Sequence, residues 1–198
     1  MAPARAASAH TPAARAAPRV LCVSTIEGRK NHLALLAAAE ALWREGLAFE
    51  LELVGLPRTD TAAPALARIA ELQRAGRALI AHGAVPDEQL HDAYARCTFT
   101  VYPSLTEGFG LPVLESLQHG RPCICSAQGA LGEAARGGGT LALDSVDAST
   151  LAAAMRRLLT EPALRAELSA QARTRKLRTW SDYASDLTGW MDALPRHQ

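Results

Sequence analysis

Aromatic residues, excess charge and long apolar segments are all scarce in this sequence. Aromatic side chains make up 5% of the residues, too few for an obvious platform on which the bases of a nucleic acid could stack. The formal net charge of +1 offers no attraction to nucleic acid or to an anionic membrane surface. No apolar run approaches the about 18 residues that a membrane span requires. We therefore predict no nucleic-acid partner and no membrane span.

Several motifs of nucleotide and metal sites are also missing. The first apolar run is not followed by G-x-G-x-x-G, and the chain contains no GxxxxGK[ST], so we expect neither an NAD-type nor an ATPase-type site. The Cys-x-Cys spacing is too extended for a zinc knuckle. We predict no metal site and four buried free thiols in a reducing cytoplasm. These thiols are Cys22, Cys97, Cys123 and Cys125.

The pattern of apolar residues predicts one α/β domain with a leader and a helical tail. At 198 residues the chain is long enough for one well-buried domain and short for two. Residues 1–18 are rich in Ala, Pro and Arg without an apolar core, which predicts a disordered leader and not a secretory signal. Residues 19–178 alternate about six short strands with helices, which predicts a Rossmann-like, doubly wound parallel sheet with helices on both faces. Residues 179–198 are predicted to form a C-terminal helix.

Five polar loops follow the predicted strands. In such sheets, ligands bind beyond the carboxyl ends of the strands, at the point where the strand order reverses. We therefore expect one site, assembled from several loops at one edge of the sheet. The loops are residues 27–31, 55–60, 82–85, 104–111 and 126–133.

The loop 104–111 has the features of an anion site. It contains a Gly-Phe-Gly turn and precedes Pro112, which suits the first position of a helix. The N–H groups of Phe109, Gly110 and Leu111, together with the helix dipole, could converge on a phosphate or diphosphate.

Charged residues flank this turn. Glu107 and Glu115 could accept hydrogen bonds from hydroxyl groups on either side of a diphosphate, and Arg29 and Lys30 suit phosphate oxygens. A diphosphate between two polyols describes a nucleotide sugar. The alternative is a glycine-containing loop with solvated glutamates and a solvated basic pair.

A third loop could hold a flat ring. In the segment HGAV, Gly83 has no side chain, so the backbone between Gly83 and Val85 could approach a nucleobase closely. An ordinary tight turn is the alternative.

With these residues in place, the chain resembles the C-terminal, donor-binding half of a GT-B retaining glycosyltransferase of family 4, the group 1 enzymes. The resemblance covers about residues 19–194, and its E-x7-E pattern joins Glu107 to Glu115. It is carried by TIEGRKN (25–31), LVG (53–55), HGAV (82–85), YPSLTEGFGLPVLE (102–115), GRPCI (120–124) and GALGE (129–133).

The resemblance implies roles for these residues. Arg29 and Lys30 would hold the donor diphosphate and stabilise the leaving nucleoside diphosphate, assisted by the amides of Gly110 and Leu111. The donor would be a GDP- or UDP-sugar, and the transfer would retain the anomeric configuration without a metal or prosthetic group.

Three acids have implied positions around the donor. Glu107 would contact the transferred sugar and Glu115 the ribose, while Glu133 matches a family position near the site. The form TIE-x-RKN is similar to mannosyltransferase-like members that act on bacterial surface polysaccharides. Gly28 departs from the family, which often has proline there; this loosens the loop that carries Arg29.

A complete enzyme of this type also has an N-terminal domain that binds the acceptor, here a saccharide or a lipid-linked one. The tail carries an apolar stripe that either crosses to such a domain or subunit, or caps its own core. The stripe consists of Trp180, Tyr183, Leu187, Trp190 and Leu194.

Three hypotheses therefore stand. The first is a cytoplasmic transferase domain, with attachment at the inner membrane face as an option. The second is a non-catalytic nucleotide-sugar-binding module or one subunit of a split enzyme. The third is a Rossmann-like domain for another phosphorylated ligand.

Overall fold

The computed structural model describes residues 17–194, and its elements follow the predicted alternation of strands and helices. Residues 1–16 of the predicted leader lie outside this range. The elements in chain order are β1 (Arg19–Val23), α1 (His32–Arg44), β2 (Glu50–Val54), α2 (Ala63–Arg74), β3 (Leu79–His82), α3 (Asp87–Arg96), β4 (Phe99–Tyr102), α4 (Leu111–Gln118), β5 (Cys123–Ser126), α5 (Gly129–Ala135), β6 (Thr140–Leu143), α6 (Ala148–Thr160), α7 (Pro162–Thr174) and α8 (Trp180–Asp192).

The six strands form one sheet in the order β3-β2-β1-β4-β5-β6. Every neighbouring pair is parallel. The order reverses between β1 and β4, so the crevice at the carboxyl ends of these two strands is the expected place for a ligand. The predicted fold class, a Rossmann-like doubly wound parallel sheet, is confirmed.

Helices cover both faces of the sheet. On one face, α1, α2 and α6 pack on the strands around Leu36 and Phe99, both fully buried. On the other face, α3 packs beside Leu21, while α4 and α5 pack near Val113. Because the central strands are covered on both sides, they are apolar at successive positions and do not alternate with polar residues.

The four cysteines are free and buried, as predicted. Burial raises the pKa of the Cys22 thiol to about 12 and that of Cys97 to about 12. Both thiols are therefore protonated at neutral pH, and they act as small apolar side chains of the core.

The C-terminal helix α8 leaves its apolar stripe exposed. Thr179 and Asp182 form a capping box at its start, which explains where the helix begins. No residue of α8 is buried, and Trp180 is 86% exposed. In this structure the stripe does not pack against the core of its own domain. No helix within residues 17–194 is both long and apolar enough to span a membrane.

Two leucines test this division between core and exposed stripe. Leu36→Ala should lower the free energy of unfolding by about 2–5 kcal/mol, because it opens a cavity in a fully buried site. The same substitution at Leu187, which is 40% exposed, should change it by less than about 0.5 kcal/mol. Urea unfolding measures both. A large loss at Leu187 would mean that α8 packs on the domain in solution.

Candidate functional site

The predicted loops share one edge of the sheet and are joined by backbone hydrogen bonds. The N–H of Leu105, after β4, donates to the carbonyl of Arg29, after β1, at 2.9 Å. The N–H of Gly55, after β2, donates to the carbonyl of Gly83, after β3, at 3.2 Å. The loops after β1 and β4 therefore face each other across the point where the strand order reverses.

Asn31 ties the first of these loops to the segments that follow β4 and β6. It adopts the left-handed conformation, with φ 58°, between a 3-10 turn and α1. Its side-chain amide donates to the carbonyl of Pro103 at 3.3 Å and to that of Val146 at 2.8 Å. Asparagine tolerates this backbone conformation better than most residues. An asparagine directly before a helix was the sequence signal for this role, which the pattern analysis missed.

Lys30 is buried and held by two partners. Only 7% of the residue is exposed. Its Nζ donates to the hydroxyl of Tyr102 at 2.7 Å and to Oε1 of Glu107 at 2.5 Å. Since an ammonium group has three N–H donors, one remains for a further acceptor. Tyr102 is the last residue of β4. From the sequence it was recognised only as the first residue of the motif YPSLTEGFGLPVLE, without a role of its own.

Arg29 shares the same carboxylate but is open to solvent. Its side chain is 49% exposed. Nη1 donates to Oε2 of Glu107 at 3.0 Å and to the carbonyl of Thr106 at 3.1 Å, while Nη2 pairs with Glu27 at 2.7 Å. The two cations therefore differ in exposure, Arg29 being open to solvent and Lys30 buried, so they do not form a solvated basic pair. Glu107 lies between them.

Glu107 is the resident anion of this cluster. Its side chain is 9% exposed. Burial alone would raise its pKa, but hydrogen bonds, that of Lys30 first, and the charge of Lys30 outweigh burial and lower the pKa to about 2. The carboxylate is therefore ionised at neutral pH.

His32 is a buried, neutral neighbour of this cluster. Burial, and then the charge of Lys30, lower its pKa to about 4. Its Nε2 lies 3.2 Å from Oγ of Ser24, which follows β1. The positive charge under the loops thus comes from Lys30, and His32 adds none.

The glycine turn begins α4 as predicted. Gly110 has φ 83° and forms the N-cap of α4. A Cβ at this position would lie 3.1 Å from Leu131 of α5, so both the conformation and the space favour glycine. Within residues 17–194, the N–H groups of Phe109, Gly110 and Leu111 have no acceptor. These donors are available to an anion.

The remaining predicted residues lie around this centre. Glu115, in α4, accepts a hydrogen bond from Tyr94 of α3 and has no contact with the cluster of Lys30. Glu133 is exposed on α5. Gly83 follows β3 with no positive φ, and a Cβ there would lie 3.8 Å from Leu56, so the chain itself does not require glycine.

Val85 is only partly open to a ligand. It is partly buried and packs against the apolar cluster that includes Leu21 and Tyr94, beside α3. Within the described range, no three His, Cys, Asp or Glu side chains are grouped as metal ligands.

Comparison with known proteins decides the family. The family described as "Glycosyl transferases group 1" matches residues 7–175. The chain belongs to the group 1 glycosyl transferases. The resemblance to this family inferred from the motifs is confirmed.

Relatives of this group 1 protein are glycosyltransferases. It is 38% identical over 111 residues to the serotype-specific mannosyltransferase WbdA of Escherichia coli, covering 55% of this chain and 13% of WbdA. It is 34% identical over 186 residues to D-inositol 3-phosphate glycosyltransferase of Acidothermus cellulolyticus, covering 87% of this chain and 41% of that enzyme.

A solved structure is similar over most of the chain. Sucrose-phosphate synthase from Thermosynechococcus elongatus superposes with a TM-score of 0.76 at 28% identity, over 89% of this chain and 45% of the synthase. The group 1 chain thus spans less than half the length of each of these relatives.

The ion pairs of Glu107 predict an acid-dependent loss of stability. The pKa of Glu107 is lowered from 4.5 to about 2, so the unfolded state binds more protons than the folded state between these values. The stabilisation is complete above about pH 5 and is lost as the pH falls toward about 2. Glu107→Gln should make this decline shallower in urea unfolding at a series of pH values. Glu88→Gln, an exposed control on α3, should leave the decline unchanged; equal profiles for wild type and Glu107→Gln would contradict the assignment.

Two glycines of the same turn should respond differently to alanine. Gly110→Ala should cost about 1–2 kcal/mol of unfolding free energy, because a left-handed backbone is strained with a side chain. Gly108→Ala should cost less than about 0.5 kcal/mol, since a Cβ there meets nothing within 4 Å. Thermal or urea unfolding checks both, and equal costs would argue against the observed conformation of Gly110.

Proposed function

We propose that this group 1 chain binds a nucleotide-diphospho-sugar in the crevice between β1 and β4 and supports retaining glycosyl transfer. The observation that carries the proposal is the contact of Arg29 and Lys30 with Glu107, in the loop that leads to the free N–H groups at the start of α4, at the point where the strand order reverses. Membership of the family supports a transferase over the other two hypotheses.

The free hydrogen-bond donors of the crevice favour a diphosphate. Lys30 and Arg29 share Glu107, and Arg29 also pairs with Glu27, so the charges of the cluster are balanced before a ligand binds. Among the described residues 17–194, donors without an acceptor remain on Lys30, on the exposed side of Arg29 and at the amides of Gly110 and Leu111. These groups would stabilise the negative charge that develops on the leaving nucleoside diphosphate, with no metal or prosthetic group.

The acids and the open loops would orient the rest of the donor. Glu107 would accept hydrogen bonds from the transferred sugar, Glu115 from the ribose, and Glu133 would lie near the sugar. Gly83, whose position tolerates a Cβ within the protein, would be glycine because a base of a GDP- or UDP-sugar passes close to it, with Val85 and Phe109 beside it.

A mannosyl donor and a saccharide or lipid-linked acceptor are the proposed substrates. The donor is supported by WbdA of Escherichia coli, whose name describes a mannosyltransferase. The acceptor would be bound by a separate N-terminal-type domain or subunit, and the exposed stripe of α8 supports such a partner. The place of reaction would be the cytoplasm.

Calorimetric titration of the purified chain with UDP, GDP and ADP tests the donor site. We expect saturable binding of one nucleotide, and about tenfold or greater weakening by Arg29→Ala and by Glu115→Ala, because each removes a charged hydrogen-bond partner. Arg156→Ala is the matched control, since Arg156 pairs with Glu45 away from the crevice. EDTA should leave the affinity unchanged. No binding of any nucleotide by the folded chain would contradict the proposal.

A further inference from the structure

Glu115 is held by a buried tyrosine from another helix. The hydroxyl of Tyr94, in α3, donates to Oε2 of Glu115, in α4, at 2.9 Å. Tyr94 is 2% exposed, whereas Glu115 is half-buried. Within residues 17–194, Oε1 of Glu115 has no hydrogen-bond partner. One carboxylate oxygen is therefore fixed by the protein and the other is available to a ligand.

The tyrosine itself cannot easily move. Its ring stacks on the imidazole of His119, with the centroids 4.8 Å apart and the planes at 6°. His119 lies one turn beyond Glu115, and the backbone N–H of His119 donates to the backbone carbonyl of Glu115 at 3.1 Å. The backbone carbonyl of Tyr94 accepts from Nε of Arg121 at 3.0 Å. Ring, hydroxyl and backbone are thus all held by α4 and the segment that follows it.

The hydroxyl of Tyr94 is protonated at neutral pH and donates to the carboxylate of Glu115. Burial, followed by the charge of Glu115, raises the pKa of Tyr94 far above its ordinary value. A protonated phenol beside a carboxylate can only donate to it. This bond therefore sets which oxygen of Glu115 stays free.

We propose that Tyr94 is a positioning residue for nucleotide recognition: its hydroxyl fixes Oε2 of Glu115, so that Oε1 accepts the hydrogen bond of a ribose hydroxyl. This inference rests on the proposed function, in which Glu115 contacts the ribose. A carboxylate whose rotation is already restricted loses less conformational freedom when the nucleotide binds. Without the tyrosine hydroxyl, Glu115 would rotate and be solvated at both oxygens.

The opposing interpretation is that Tyr94 only stabilises the packing of α3 on α4. A general structural defect would weaken every nucleotide alike. A positioning role would weaken only nucleotides that carry the recognised ribose hydroxyl. The ratio of affinities for ribo and deoxy nucleotides separates the two roles.

The experiment is calorimetric titration of the full chain with GDP, UDP and their 2′-deoxy and 3′-deoxy forms. In the wild type, the ribonucleotide that binds should be preferred over at least one deoxy form by about tenfold or more. Tyr94→Phe should reduce that preference by about three- to tenfold, with the affinity for the deoxy form unchanged. Glu115→Ala should abolish the preference. Urea unfolding confirms that each variant is folded, and Tyr94→Met, which also fills the space without a hydroxyl, provides a second variant.

Thr100→Val is the matched control. Thr100 Oγ1 lies 2.7 Å from Oγ of Ser116, so the substitution removes a buried hydrogen bond to α4 without touching Glu115. It should lower stability and keep the ribose preference.

The outcomes separate this inference from the proposed function. An unchanged preference in Tyr94→Phe, or an equal loss for ribo and deoxy forms, would overturn the positioning role while nucleotide binding stands. A preference that survives Glu115→Ala would overturn both the ribose contact and the role of Tyr94. A wild-type chain that binds neither GDP nor UDP would overturn the proposed function, and this inference with it.

Discussion

The pairing of Lys30 with Glu107 connects the two loops that form the crevice. Lys30 follows β1 and Glu107 follows β4, and these strands are neighbours in the sheet although 77 positions separate the two residues. The pair lies among atoms that exclude most solvent, so either charge would be costly without the other. Arg29 and Tyr102 each contact one member of this pair. The geometry of the crevice is therefore coupled to this one interaction.

This arrangement resolves an apparent conflict in the sequence. Cations that lie close to a helix start are disfavoured by the helix dipole, and α1 begins two residues after Lys30. The turn 28–30 and the left-handed Asn31 separate Lys30 from the helix axis, and Glu107 balances its charge. A donor diphosphate would join an already balanced cluster, in which Glu107 prevents the two cations from repelling each other before the donor binds.

The second acid is organised by different neighbours. Glu115 belongs to α4, whose start carries the free amides and whose end carries His119. One helix thereby presents amide donors at its first turn and a carboxylate one turn further along. Glu107 therefore lies in the loop that pairs with the two cations, whereas Glu115 lies on α4, on the side that contacts Tyr94 of α3.

Much of the fold was predictable because its signals are local. The strand ends at His82 and Tyr102, the start of α4 near Pro112 and the end of α1 near Gly46 follow from apolar periodicity, proline and glycine, which act within a few residues. The alternation of strands and helices then leads to a parallel sheet, and the sheet to a shared edge for the loops. The residue types of the crevice, two cations and two acids around a glycine turn, were also readable from the chain.

Only the tertiary structure decided how these residues pair. That Lys30 is buried and Arg29 exposed depends on the position of Tyr102, 72 residues away, and no local pattern contains that distance. The contact of Tyr94 with Glu115 likewise joins side chains of α3 and α4, two helices that are separate along the chain. The exposure of the α8 stripe was undecided in the sequence, since an amphipathic helix has the same pattern whether its apolar face meets its own core or another surface. Local sequence determined the elements and the chemistry of the site, while hydrogen-bond partners and burial required the three-dimensional arrangement, because they join residues that are distant along the chain.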